Sequence, residues 1–136
     1  MARYGLLLLF SFLLTAVGCS PDGPPIAEVA GQVLLDGKPL PEAEVTFQPV
    51  SGRPSVGTTD PDGRFEVHYS ATRKGALVGD HSVRISTYQA PHPIGPNGEM
   101  SSLKKEVVPH RYNRDTELTQ TVESWGNNFV FELQSK

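Results

Sequence analysis

From Glu28 onward, apolar residues recur at every second position in short runs separated by turn-forming residues. Val29, Gly31, Val33 and Leu35 alternate with Ala30, Gln32 and Leu34. Successive side chains of extended backbone point to opposite sides, so these four share one face of a first strand. Asp36-Gly37-Lys38-Pro39 reads as the turn that ends it. Ala43, Val45 and Phe47 then alternate with Glu42, Glu44, Thr46 and Gln48, a half-buried strand interrupted by Pro49 and by residues 51–55. After the turn Thr59-Asp60-Pro61-Asp62-Gly63, Phe65, Val67 and Tyr69 alternate with Arg64, Glu66 and His68. Residues 72–80 are expected to form a connection. Val83, Ile85 and Thr87 then face one way from a strand over 81–88, with Ser82, Arg84 and Ser86 on the other side. Residues 89–104, with three prolines and two glycines, predict a mobile irregular loop, followed by a short strand over 105–108. Leu118, Gln120 and Val122 mark one more strand, and Phe129, Phe131 and Leu133 mark the last, with Gly126-Asn127-Asn128 as the turn between them.

Six or seven short strands without a helical period point to an all-β domain. Each strand has one apolar face that a single sheet would leave wet. Two packed antiparallel sheets bury both sets, and hydrophobic transfer drives the packing. A closed barrel of the same strands is the structural alternative.

The first residues follow a different rule. Arg3 precedes an uninterrupted apolar to weakly polar run from Leu6 to Val17, then Gly18 and Cys19. Twelve residues suit a signal peptide and fall short of the roughly 20 needed to span a bilayer. Ala16-Val17-Gly18-Cys19 resembles a bacterial lipobox, which implies cleavage before Cys19 and diacylglyceryl attachment to its thiol. Cys19 is the single cysteine of the chain, so an intramolecular disulfide is ruled out. The expected organisation is a signal peptide over 1–18, a lipidated Cys19 with a flexible Pro-rich tether over 19–27, and a folded domain over 28–134. Ser20 after the cysteine places the anchor, by analogy with known sorting signals, at the outer membrane of the cell envelope. Loss of Arg3 with the signal leaves 11 basic against 15 acidic side chains. That mild acidity argues against nucleic acid as a partner, because phosphate binding needs a basic surface. Lys104, Lys105, Arg111 and Arg114 are the one local basic cluster; they read as a solvated loop surface or as a site for an anionic partner.

The stretch VAGQVLLDGKPLPEAEVTFQPV from Val29, the segment VGTTDPDGRFEV and the late VESWGNNFVFEL together resemble the carboxypeptidase regulatory-like domains of the transthyretin-like superfamily. They are especially similar to short lipoproteins of planctomycete type. The resemblance implies a seven-stranded, prealbumin-like Greek-key sandwich without catalytic residues of its own. Hydroxyisourate hydrolases of that superfamily carry a C-terminal Tyr-Arg-Gly-Ser; this chain ends Leu133-Gln134-Ser135-Lys136. Hydrolase activity is therefore not expected.

Candidate chemistry is sparse. Asp60-Pro61-Asp62-Gly63 resembles the start of a calcium loop, but the twelfth position from Asp60 is Ala71, where such a loop needs a bidentate Glu. An Asx-type turn accounts for the same residues. His68, His81, His92 and His110 show no metal-ligand spacing, and the serines lack a nucleophile-elbow context. No catalytic residue, metal or cofactor is expected. Aromatic residues offer the better hint: Tyr88, Tyr112 and Trp125 are candidate ligand contacts beside the 89–104 loop, with Trp125 either exposed at one end of the sandwich or folded back over its edge as a lid. Two functions follow. One is a lipid-anchored module with a structural or protein-interaction role in the envelope; the other is a small-ligand or carbohydrate-binding lipoprotein using that loop. The sequence leaves the oligomeric state open.

Overall fold

The computed structural model describes residues 23–136, so the export signal and the expected lipidation site Cys19 lie outside the described residues. Those residues form ten strands and one 3₁₀ turn: β1 (Ile26–Ala27), β2 (Val29–Leu35), β3 (Lys38–Pro39), β4 (Glu44–Pro49), β5 (Ser55–Thr58), β6 (Arg64–Glu66), β7 (Ala76–Leu77), β8 (Gly79–Ser86), the turn His110–Tyr112, β9 (Thr119–Val122) and β10 (Asn127–Leu133). No helix among the described residues is long and apolar enough to cross a membrane.

Two sheets carry the fold. One runs β5-β4-β8-β9, and the other runs β10-β2-β3 with β6 also paired to β2. Their inner faces are the alternating residues of the sequence: Val29, Val33, Ala43, Val45, Phe47, Phe65, Val67, Val83, Ile85, Val122, Phe131 and Leu133 are all buried. Phe47 of β4 reaches across the interface. Its ring centroid lies 6.3 Å from Phe65, 5.9 Å from Phe129 and 6.3 Å from Phe131, all three on the opposite sheet. Gly31 makes that approach feasible, because it pairs with both Phe65 and Phe129, and a Cβ there would lie 2.0 Å from the Phe129 carbonyl oxygen.

Several expectations change. The sandwich is mixed, because β10 runs parallel to β2 in the register Asn127↔Val29 to Leu133↔Leu35. The reason is connectivity: β9 and β10 belong to different sheets, and the short crossing over 123–126 starts β10 at the same end of the molecule as β2. The turn after β2 is tighter than four residues. Asp36 and Gly37 both have positive φ (51° and 79°), as a two-residue hairpin turn requires, and Lys38–Pro39 already pairs back onto β2. Residues 51–55 do not simply interrupt the sheet, since Ser55 opens β5. Residues 72–80 contain β7, which pairs with β1, so Ile26 and Ala27 join the fold just ahead of Glu28. No strand forms over 105–108; those residues dock through side chains instead. The 89–104 segment is a closed arm, pinned by paired backbone bonds between Gln89 and Lys104 and by contacts of Ile94 with Glu99 and of His92 with Ser101.

The strand directions define two ends. One, the tether end, gathers the entry of the chain at Gly23, the end of β4, the start of β8 and the 123–126 turn. The other, the arm end, gathers the Asp36–Gly37 turn, the 87–118 segment and the C-terminus, where the Ser135 N–H donates to the Asp36 carboxylate.

Candidate functional site

At the arm end, Arg84, Ser86 and Tyr88 continue one alternation on the outer face of β8 and beyond it. Together with Glu106, His110, Asn113, Arg114 and Thr116 they line a shallow groove. Glu106 organises it. Its carboxylate accepts bonds from the Ser86 hydroxyl, the Thr87 N–H and hydroxyl (both 3.0 Å) and the Val108 N–H (3.0 Å). Burial raises its pKa and is the largest single influence, but the bonds from Ser86, Thr87 and Val108 together outweigh it and hold the carboxyl below its ordinary value. The single proton of the Thr87 hydroxyl is shared between Glu106 and the Lys105 carbonyl, and its oxygen accepts from the Val107 N–H, so the strand end and the returning arm are fastened to each other. Asn113, buried, donates to the Val108 carbonyl and fixes the opposite wall.

The groove is polar and carries cations. Arg84 has no ion-pair partner among the described residues, and Arg114 reaches only its neighbour Asp115 at 3.7 Å. Lys104 is occupied by Glu42 at 2.7 Å. Beyond the groove the arm exposes Ile94, Met100, Leu103 and Val107.

The three candidate aromatics are not one platform. Tyr88 is 55% exposed and lines the groove. Tyr112 packs against the core, its hydroxyl accepting the Gln134 N–H and its ring lying 4.8 Å below the Arg111 guanidinium. Those contacts pull its pKa down, the Arg111 interaction most strongly. Trp125 is 75% exposed, so it is not a lid over the edge. It sits in the turn before β10, whereas Tyr112 bonds just beyond the far end of β10. The seven residues of β10 put about 20 Å between those ends.

The remaining candidates have structural explanations. The Asp60 carboxylate accepts the N–H groups of Asp62 and Arg64, each at 2.9 Å, which is an Asx turn. His68 is exposed, and His92 pairs with the Ser101 hydroxyl at 2.9 Å. His81, 3% exposed, points Nδ1 at the Gly79 carbonyl and stacks edge-on against Phe47. Among the described residues no three His, Cys, Asp or Glu side chains are grouped to hold a metal ion. Sequence reasoning missed Arg84, Glu106, His110 and Asn113 as groove residues. The period of β8, extended two residues to Tyr88, was the available signal for Arg84; nothing local marks Glu106 or Asn113.

No family model matches the chain, and no curated protein does. Among solved structures, a 9R-lipoxygenase from Cyanothece PCC8801 aligns with a TM-score of 0.43 and 18% identity, over 81% of this chain and 16% of that protein. Likeness at that level carries no argument about fold or function.

Proposed function

We propose that this chain is a non-enzymatic lipoprotein of the cell envelope, anchored through Cys19, whose sandwich binds a small ligand of carbohydrate type at the arm end. The carboxypeptidase regulatory-like resemblance belongs to the same reading. The observation that carries it is the groove, where an exposed Tyr88 ring stands beside the polar side chains of Arg84, Ser86, Glu106, Asn113 and Arg114. A sugar ring offers C–H faces that pack on an aromatic ring and hydroxyls that bond to such a rim. Arg84, without an ion-pair partner among the described residues, favours a saccharide bearing a carboxylate, which a guanidinium holds in two parallel bonds. Titration of the full chain with neutral and uronate-containing oligosaccharides, followed by calorimetry, tests this. Binding is expected to weaken about tenfold in Tyr88→Ala, on the order of one lost aromatic contact, and to be unchanged in Trp125→Phe. Failure of every saccharide to bind would reject the reading.

A second reading, a protein-interaction module, is favoured by the apolar side chains the arm exposes at Ile94, Met100, Leu103 and Val107. It expects an envelope protein to be captured by the native chain and released by Leu103→Asp, with the groove variants without effect.

A further inference from the structure

The tether end exposes its own apolar residues. Val50 is 90% exposed and Trp125 75%, and Val78 is also exposed. Val50 and Val78 border one hollow with Pro24 and Pro25, which follow Gly23 at the chain's entry. Trp125 lies at the same end, because Val122 pairs with Gly79 and Asn127 pairs with Val29. Its turn is held firmly. The buried Asn127 side chain accepts the Glu123 N–H at 2.8 Å and donates to the carbonyls of Glu123 and Glu28 at 3.0 Å each. The fold thus fixes the turn's backbone while leaving its indole in solvent.

The chain itself limits what this end can meet. Gly23 follows Cys19 by four residue steps, a reach of about 14 Å when fully extended. Measured from Val17, the end of the apolar run, the reach is about 20 Å. Arg73 holds the entry in place by donating to the Pro24 carbonyl at 3.1 Å. The eight residues of β8 alone extend about 25 Å from the tether end to the arm end. A membrane that holds the start of the chain therefore lies within reach of Trp125 and Val50, and a sandwich standing on that end carries Tyr88 and the arm about 25 Å farther out.

We infer that the tether end of the sandwich rests on the surface of the bilayer that anchors the chain, with Trp125, Val50 and Val78 at the lipid interface and the arm end turned away from it. Tryptophan suits that position, since its ring is apolar and its N–H is satisfied by the wet headgroup layer. Charge does not drive the contact: Arg53 and Arg73, both stacked over Tyr69, are offset by Glu28, Asp80 and Glu123 around the same end. Zwitterionic lipid is therefore sufficient. The consequence for the anchored protein is that its groove and arm face the compartment, presented by a short tether and a seated base.

The inference rests on the membrane anchor of the proposed function and not on its saccharide. Trp125 is the single tryptophan of the chain, so its emission reports this one position. The full chain, purified from membranes, is reconstituted into phosphatidylcholine vesicles with and without brominated acyl chains. Trp125 emission is expected to shift to shorter wavelength, to fall at least twofold with brominated lipid, to resist aqueous acrylamide, and to be insensitive to salt. In a second chain carrying Trp125→Phe and Tyr88→Trp, the indole at the arm end is expected to be quenched by acrylamide and not by brominated lipid. A chain that fails to sediment with vesicles overturns the inference through the anchor. A chain that sediments while Trp125 stays unquenched by lipid, or while the indole at position 88 is quenched as strongly, overturns the orientation and leaves the anchor standing.

Discussion

The Thr59 hydroxyl closes a buried gap that no hydrophobic pattern describes. It donates to the Leu40 carbonyl at 2.6 Å and accepts the Ala43 N–H at 2.8 Å. Thr59→Val keeps the shape and leaves both groups without a partner, so a loss of about 2 kcal/mol is expected in chemical denaturation. Glu106 is the corresponding residue on the arm. Its carboxyl titrates below the ordinary 4.5 when folded, so the charged form favours the folded arm. That contribution is complete above about pH 4.5 and is lost as pH falls through the lower folded value. Amide exchange at Thr87 and Val108 is expected to accelerate below that pH. Glu106→Gln should show fast exchange at neutral pH and a flatter acid response. Neither role was legible locally, because both depend on partners about 20 residues away in sequence.

At the scale of elements, the sequence marked the strands whose inner residues are large and apolar. It marked β2, β4, β8, β9 and β10 through Val33, Val45, Ile85, Val122 and Phe131, each at or near complete burial. It missed β5, whose inward positions are Ser55 and Gly57. Their smallness is a packing demand, since a Cβ on Gly57 would lie 2.1 Å from the Glu66 carbonyl oxygen. The period-two signal vanishes wherever the opposite layer comes too close for a side chain. Gly37 answers to a different constraint, with open space around it and a φ of 79°. Gly37→Ala is expected to cost about 1 kcal/mol through backbone strain alone, read as a lower denaturation midpoint with an unchanged denaturant slope.

For the whole molecule, the decisive contact joins the beginning and end of the fold, β2 with β10. Deleting residues 127–136 removes the parallel ladder together with Phe129, Phe131 and Leu133. The shortened chain is expected to lack a cooperative thermal transition, as followed by circular dichroism. The same pairing sorts Tyr112 from Trp125, which the sequence grouped as neighbours of one loop. The chain by itself determined the all-β class, the inward set of side chains and the turns at Gly37 and Gly63, because alternation and positive φ are local properties of the backbone. Only the tertiary structure decided the parallel direction of β10, the closing of the arm by Glu106 and the placing of Tyr88 and Trp125 at opposite ends. Those depend on which sheet each strand joins, and that is set by long-range packing rather than by any neighbouring residue.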